Sequence, residues 1–198
     1  LFDNLRSLIK MQDVIELSDN LIIGKGRDRI CYEHPSVFNL CIKISITTDK
    51  QSLREMRYFN FLKRKQTDLS KISTFLGKIK TNKGLGYSFE LIRDNDGKVS
   101  KTLLQSLESN ECSMAQVRPL ISDLKQYLMT NKICVRDISP SNISCQQTQD
   151  GINLFIIDGV SNSNFNPLTI RLQSLINKSI DKAWQGLDRK LERFETSN

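Results

Sequence analysis

With 198 residues, of which 38% are hydrophobic and 26% charged, the chain has the composition of a globular protein long enough to bury a core. No apolar run approaches the roughly 18 residues that a membrane span needs, and the first residues lack the features of a secretory leader, so we expect a cytoplasmic location. The net charge of +7 favours an anionic partner, such as nucleotide phosphates, a phosphorylated glycan or the lipid head groups of a membrane surface.

Residues 1–93 are predicted to form an N-terminal lobe around an antiparallel β-sheet. Residues 1–17 have the apolar spacing of a short helix that leads into a strand, and Gly24-Lys25-Gly26 separates two apolar strand halves. A glycine pair lets backbone amides approach a phosphate because no Cβ is in the way. The alternative is an ordinary hairpin turn.

A lysine interrupts the next apolar strand, which covers residues 39–46. Lys43 falls on one face, and the alternation places four apolar residues on the other: Leu40, Ile42, Ile44 and Ile46. An inward-facing lysine is costly without a partner. Glu55 is the predicted partner, on a helix over residues 49–65 that has Asp49 as its N-cap. Alternatively, Glu55 lies on a solvated face among basic residues.

A predicted hairpin completes the N-terminal lobe. Its strands cover residues 75–81 and 85–92, and its turn covers residues 82–84. The polar turn that begins at Arg93 marks the boundary, so a second lobe extends over residues 94–198.

The C-terminal lobe is predicted to be mainly helical. An apolar repeat at residues 102–107 is followed by a helix with one apolar face at residues 114–131. The later elements are, in chain order, a loop at 135–142, a strand at 143–145, a turn at 146–151 and a strand at 152–157. This hairpin would carry Asn142 and Asp158 toward the same point.

Three polar side chains of this lobe have the spacing of a phosphoryl-transfer site. Four residues separate Asp137 from Asn142, and Asp158 ends an apolar strand. Phosphoryl transfer needs a carboxylate that orients the attacking hydroxyl and accepts its proton, together with oxygen ligands for Mg²⁺. Asp137 fits the first role, whereas Asn142 and Asp158 fit the second.

The C-terminal segment is predicted to be one long helix or two, beginning at Asn166-Pro167. Apolar residues recur there in helical steps: Leu172, Leu175, Ile176, Ile180, Ala183, Trp184, Leu187, Leu191 and Phe194. Its flanks are basic, with Lys178, Lys182, Arg189, Lys190 and Arg193. These side chains form either a solvated face or a docking surface for an anionic acceptor.

The order of these features resembles that of protein kinases, in which a glycine-rich loop, a strand lysine, a helix glutamate, a catalytic loop and a metal-binding aspartate follow one another. The corresponding residues are Gly24, Gly26, Lys43, Glu55, Asp137, Asn142 and Asp158. More narrowly, the chain resembles the YrbL family of bacterial PhoP regulatory network proteins, a compact group with a protein-kinase-like fold. The segments that carry this resemblance are residues 24–35, 41–44, 84–87, 96–98 and 140–143.

The resemblance implies an α+β, two-lobed, protein-kinase-like fold that binds ATP and Mg²⁺ and phosphorylates a hydroxyl group. Lys43, held by Glu55, would orient the α- and β-phosphates. The glycine loop, Gly24, Lys25 and Gly26, would cover the phosphates, and the backbone of Glu90, Leu91 and Ile92 would hydrogen-bond adenine. An anionic small-molecule or glycan acceptor is expected by analogy with the sugar kinases of lipopolysaccharide core assembly.

Departures from the kinase pattern leave a second hypothesis open. Val135 replaces a histidine that supports the catalytic loop, and Ser139 stands where many kinases have a lysine at the γ-phosphate. The segment Asp158-Gly159-Val160 replaces Asp-Phe-Gly. The alternative is therefore a nucleotide-binding pseudokinase or regulatory module without transfer activity.

Two other classes of site are disfavoured. Nucleic-acid binding would require a basic patch with exposed aromatic residues or a recognition motif, and the sequence has neither. A structural zinc site would require histidines at short spacing, whereas His34 is the only histidine and the five cysteines are scattered.

Overall fold

A computed structural model describes residues 14–161 and 173–195, which divide into two compact units. The first unit contains residues 14–56 and Thr74–Leu91, and the second contains Arg57–Ser73 with residues 92–161 and 173–195. The fold is mixed α+β, as predicted. None of the helices in these residues combines the length and the apolar composition that crossing a membrane requires.

An antiparallel five-stranded sheet forms the body of the first unit, which confirms the predicted sheet. The strands are β1 (Ile22–Lys25), β2 (Arg29–Glu33), β3 (Leu40–Ser45), β4 (Phe75–Thr81) and β5 (Gly84–Glu90), in the spatial order β1-β2-β3-β5-β4. Ile15 adds a parallel bridge to Thr81. The predicted N-terminal helix falls largely on residues 1–13, outside the described part.

One face of this sheet carries the apolar core. Its buried members are Ile15, Leu17, Tyr32, Leu40, Ile42, Ile44 and Ile79. The alternation predicted for β3 is therefore confirmed through Ile44. The prediction for Ile46 is wrong, because β3 ends at Ser45 and the Ile46 side chain is 49% exposed.

Helix α1 (Lys50–Arg64) follows β3. The carbonyl of Asp49 accepts a hydrogen bond from the Leu53 amide at 2.8 Å, as the carbonyl of an N-cap residue does. The helix agrees with the prediction to within one residue at each end. Its residues divide between the units after Met56.

His34, the only histidine, is buried between β2 and β3. Its Nδ1 accepts hydrogen bonds from the backbone amides of Ser36 at 3.1 Å and Val37 at 3.0 Å. Both bonds require an unprotonated Nδ1, so the ring is held in its neutral form. Burial lowers the pKa of His34 below its usual 6.5.

Acidification should therefore destabilise the fold over a pH range that is set by the pKa of His34 in the unfolded and folded chain. The unfolded chain binds a proton near pH 6.5, whereas the folded chain binds it only at a lower pH, so stability falls as the pH drops below about 6.5. The contribution of His34 to the slope of the unfolding free energy against pH should approach about 1.4 kcal/mol per pH unit. Urea unfolding between pH 7.5 and 5 measures this slope.

The matched variant is His34→Asn, whose side-chain oxygen keeps an acceptor for the two amides but does not titrate. Its free energy of unfolding should change less between pH 6.5 and 5 than that of the wild type. Parallel loss of stability in the two proteins would contradict the assignment to His34.

The second unit contains three helices and a β-hairpin. These are α2 (Leu103–Glu108), α3 (Met114–Thr130), β6 (Ile143–Thr148), β7 (Gly151–Ile156) and α4 (Gln173–Glu195). Capping boxes start α2 and α3, because Thr102 pairs with Gln105 and Ser113 with Gln116. The apolar repeat at residues 102–107 is thus the start of a capped helix.

The hairpin of β6 and β7 is longer than predicted. Its register continues to Thr148 opposite Gly151, so the turn is residues 149–150 and the predicted turn over 146–151 is wrong. Polar residues at the ends of both strands hide the pairing from an apolar pattern. Gly151, at a φ of +126°, permits the tight turn.

Over residues 173–195, the C-terminal segment is a single helix, α4. Its buried stripe is Ile176, Ile180, Trp184, Leu187 and Leu191. Leu175 is 38% exposed, so its predicted place on the apolar face is wrong. The predicted helix start at Asn166-Pro167 and the apolar position Leu172 lie outside the described residues.

Ion pairs join α4 to α3. Arg118 pairs with Asp188 at 2.8 Å and with Glu195, and Lys125 pairs with Asp181 at 2.7 Å. Together with the buried stripe, these pairs fix which side of α4 faces the rest of its unit.

Candidate functional site

Lys43 lies at the centre of the first unit's sheet, on the face opposite the apolar core. It is opposite Cys31 of β2 and Tyr87 of β5, and the residue is only 7% exposed. Its Nζ lies 4.3 Å from the centroid of the Phe89 ring, which is a cation–π distance. The predicted inward-facing lysine is thus present.

Glu55 is buried beside the same face of the sheet, so it does not lie on a solvated surface. The residue is 3% exposed, and the Arg29 guanidinium binds both of its carboxylate oxygens, at 2.5 and 3.1 Å. Arg29 of β2 is itself 8% exposed. A bidentate arginine fixes both the position and the orientation of a carboxylate. No sequence pattern had indicated Arg29 as the partner of Glu55.

The glycine pair lies where β1 ends, with Gly24 inside the strand and Gly26 in the connection to β2. Gly24 pairs with Cys31, and the Gly26 amide donates to the Arg29 carbonyl at 2.9 Å. This bond uses the Gly26 amide in closing a hairpin. Lys25, at the end of β1, is exposed. Contact of this loop with phosphate stays a prediction. The remaining backbone amides of the loop and the Lys25 side chain would make that contact.

The backbone at Glu90, Leu91 and Ile92 already makes several hydrogen bonds. The Glu90 amide donates to the Thr74 carbonyl at 3.1 Å, and the Leu91 amide donates to the Asn39 carbonyl at 3.0 Å. The Ile92 carbonyl accepts a bond from Ser100 at 3.0 Å. Adenine recognition here stays a prediction, and the amides of Glu90 and Leu91 have other partners.

In the second unit, the loop before Asp137 is anchored by three hydrogen bonds. The Tyr58 hydroxyl accepts from the Cys134 amide at 2.7 Å, and Ser179 of α4 donates to the Val135 carbonyl at 3.3 Å. The Arg136 amide donates to the Gly159 carbonyl at 2.9 Å. Val135, which stands where the kinase pattern has a histidine, is buried.

Tyr58 is an anchor that the sequence analysis missed. Burial raises the pKa of Tyr58, so its hydroxyl stays protonated at neutral pH. The ring is 1% exposed on α1, and 75 residues separate it from Cys134 along the chain. A long separation of this kind leaves no local sequence pattern.

Gly159 packs directly on the backbone of Asp137. Gly159 has a φ of +83°, and a Cβ at this position would lie 2.1 Å from the Asp137 carbonyl oxygen. Only glycine permits both the conformation and the approach. The unusual Asp-Gly-Val segment therefore has a physical reason, which is that the residue after Asp158 must lack a side chain.

The hairpin brings Asn142 and Asp158 to the same loop. The Asn142 side-chain amide donates to the Asp137 carbonyl at 3.4 Å, and the Asn142 carbonyl accepts from the Ile157 amide at 2.9 Å. Asp158 Oδ1 accepts from the Gly159 amide at 2.6 Å. The structure thus brings Asp137, Asn142 and Asp158 together. The Asp137 side chain is 70% exposed.

The donors near Asp137 have the chemistry that Mg²⁺ requires. Within the described ranges, no group of three or more His, Cys, Asp or Glu residues is arranged around a common point. Mg²⁺ does not need one, because it keeps several waters and takes one or two carboxylates together with substrate phosphates. The side-chain oxygen of Asn142 and the carboxylate of Asp158 are ligands of that kind, and their binding of Mg²⁺ stays a prediction.

Comparison with known proteins shows the family to which this chain belongs. The profile of the PhoP regulatory network protein YrbL matches residues 15–192. The chain belongs to the YrbL family. It is similar to the YrbL proteins of Escherichia coli strain K12 and Shigella flexneri, both described as uncharacterized. Each is 33% identical over 179 residues, which cover 87% of this chain and 85% of the relative.

YrbL membership confirms the narrower resemblance drawn from the sequence. The matched range includes every residue of the candidate site, from Gly24 to Asp158, and most of α4. The segments that carried the sequence resemblance end at residue 143, so the family match extends it into α4.

Proposed function

We propose that this chain is an ATP- and Mg²⁺-dependent phosphotransferase of compact, two-lobed, protein-kinase-like fold. Its acceptor would be a hydroxyl group of a small molecule or glycan. The observation that carries the proposal is the packing of Gly159 on the Asp137 backbone, since it fixes the chain at Asp137 against the residue that follows Asp158. The carboxylates of Asp137 and Asp158 are the pair of groups that phosphoryl transfer needs.

The residues take distinct roles in this proposal. Asp137 orients the acceptor hydroxyl and accepts its proton, which its exposed side chain allows. The acceptor oxygen bonds to the γ-phosphorus of ATP, the bond from that phosphorus to the bridging oxygen breaks, and ADP leaves. Asn142 and Asp158 hold Mg²⁺, which supplies positive charge to the phosphates when bound.

Buried charged residues in the first unit also support the proposal. Lys43 is buried in mid-strand, and Glu55 is fixed by Arg29 on the same face. Burying charged groups is costly unless they are paired or functional. Binding of the ATP phosphates by Lys43, positioned beside Glu55, gives this buried polar cluster a use.

The proposal predicts ATP turnover that depends on Asp137. In the presence of Mg²⁺, with water, glycerol, glucose and glucose 6-phosphate offered as hydroxyl acceptors, Asp137→Asn should lower the rate of ADP formation by about 100- to 10,000-fold. Asp158→Ala should lower it to a similar extent. The matched control is Asp123→Asn, the same change on the exposed side of α3. Equal background turnover in the wild type and Asp137→Asn would refute the enzymatic proposal.

One observation favours a second candidate, a regulatory module that binds nucleotide without transfer. Ser139 is 8% exposed and bonds to Ser141 at 2.8 Å, so it does not replace the lysine at the γ-phosphate. The YrbL family's name also refers to a regulatory network. A thermal shift with ATP and Mg²⁺ separates the cases, since ligand at 100 times its Kd should add about 2.7 kcal/mol of stability. Stabilisation without Asp137-dependent turnover would favour this candidate.

A further inference from the structure

A cavity of about 350 Å³ opens beside Asp137 in the second unit. It lies between the Asp137 loop and α4, and its lining is Arg136, Asp137, Ile138, Ser179, Lys182, Ala183, Gly186 and Lys190. The volume is within the range of small-molecule sites, which is roughly 300–1,000 Å³. The cavity is thus of a size to hold a small ligand at the Asp137 carboxylate.

The charge of the cavity is strongly positive. Among the described residues, Arg136, Lys182 and Lys190 line it, against one carboxylate, Asp137. Lys190 Nζ lies 3.8 Å from Asp137 Oδ1, and both side chains are more than half exposed. An exposed pair of this kind is weak, so Lys190 keeps the capacity to bind another anion.

The α4 side of the cavity follows from helical spacing. Ser179, Lys182, Ala183, Gly186 and Lys190 recur at steps of three and four and so share one stripe. The neighbouring stripe, about a quarter turn around the helix, contains buried residues such as Trp184 and Leu187. The cavity stripe is therefore held in place by the core packing of the adjacent stripe.

Gly186 keeps the centre of this stripe open. A Cβ at Gly186 would have no heavy atom within 4 Å, so packing does not require glycine there. Glycine in a helix interior costs about 0.5–1 kcal/mol relative to alanine. A residue that weakens the helix without a packing reason is explained if the space beside it is used.

We propose that this cavity binds the acceptor by an anionic group, so that the substrate of the proposed phosphotransferase is a hydroxyl compound that already carries a phosphate or carboxylate. The role of the ligand as a phosphate acceptor rests on the proposed function, whereas the anion site itself does not depend on that function. Arg136, Lys182 and Lys190 hold the anionic group, and a hydroxyl of the same molecule reaches Asp137. Phosphorylated sugars combine both groups in a molecule of this size.

Binding of inorganic phosphate, glucose 6-phosphate and glucose, measured by calorimetry at constant ionic strength without ATP, tests the anion site. Lys182→Gln should weaken binding of phosphate and of glucose 6-phosphate about 10- to 100-fold, which is the loss of one charge-assisted hydrogen bond. Lys178→Gln is the matched control, since it makes the same charge change on α4 at a residue outside the cavity lining. Glucose should bind more weakly than glucose 6-phosphate.

Gly186→Phe provides a second variant that leaves the charge unchanged. It should fill the cavity and abolish binding of glucose 6-phosphate, whereas Gly186→Ala should keep most of it. Both changes replace glycine inside a helix, so thermal melts should show equal or greater stability than the wild type. Should Gly186→Phe unfold, Lys182→Gln against Lys178→Gln still decides.

The outcomes separate this proposal from the proposed function. Equal affinities in the wild type, Lys182→Gln and Gly186→Phe would overturn the anion site, as would equal weakening by Lys178→Gln, which indicates diffuse surface charge. Asp137-dependent ATP turnover would then still stand. Conversely, loss of anion binding in Lys182→Gln, with no Asp137-dependent turnover, would support the site while refuting phosphotransfer.

Discussion

Gly159→Ala is expected to be the most damaging single-methyl change in the described chain. Alanine at a φ of +83° costs about 1–2 kcal/mol. The added Cβ would also lie 2.1 Å from the Asp137 carbonyl oxygen, and a forced shift of packed backbone adds roughly 1–3 kcal/mol. Urea unfolding should therefore show a loss of about 2–5 kcal/mol, or no folded protein.

Gly151→Ala is the matched control for Gly159→Ala. Gly151 also has a positive φ, +126°, but a Cβ there would meet nothing within 4 Å. This variant should lose only the conformational term, about 1–2 kcal/mol. Equal losses in the two variants would mean that contact with Asp137 is not what requires glycine at 159.

A partly folded Gly159→Ala protein would carry a second consequence. The Arg136 amide bonds to the Gly159 carbonyl, so displacing Gly159 would release the loop that holds Asp137. The variant should then lose ATP turnover to a greater extent than its stability loss explains. Gly151→Ala should keep turnover, because its turn lies at the far end of the hairpin.

Most of the first unit's sheet could be predicted from the sequence, because alternation of apolar residues is a local signal. β3 and β4 follow from that alternation, with errors only at the ends, as at Ile46. The hairpin of β6 and β7 was underestimated because polar residues occupy its outer half. Pairing of the two strands there depends on the turn at Gly151 and not on an apolar pattern.

A local signal that was missed lies at the helix starts. Thr102 with Gln105, and Ser113 with Gln116, match the capping-box pattern three residues apart. That pattern predicts that the apolar repeat at residues 102–107 belongs to a helix. These residues were within the reach of sequence reasoning.

The long-range hydrogen bonds that organise the candidate site could not be predicted from the sequence. Spacing within the loop identified Asp137 and Asn142, and the end of β7 identified Asp158. The bond from Cys134 to Tyr58, in contrast, joins residues far apart in sequence. Polar pairs of this kind depend on how elements pack in space, so a single sequence has no periodicity that reveals them.

Breaking the ion pair between Arg29 and Glu55 is the second change with a large expected effect. Glu55→Gln removes the negative charge that faces the Arg29 guanidinium, which is only 8% exposed. Removing one member of a buried pair costs about 3–5 kcal/mol, because the remaining charge is left in a poorly solvated site. Chemical unfolding of Glu55→Gln should show a loss of that size.

The control is Glu111→Gln, which breaks the pair of Glu111 with Lys101. Both side chains there are more than 40% exposed, so the loss should stay below about 1 kcal/mol. If Glu55→Gln cost no more than Glu111→Gln, the pair with Arg29 would not be a constraint on the fold.

The double variant Arg29→Met/Glu55→Leu distinguishes a structural pair from a functional one. Replacing both members of a buried pair with apolar residues is often neutral or stabilising, so most of the loss in Glu55→Gln should be recovered. Stability is then no reason for the chain to keep these charges. If the recovered protein no longer gains stability from ATP and Mg²⁺, the pair is retained to set the charge and geometry around Lys43; if it gains as much as the wild type, Glu55 has no part in nucleotide binding.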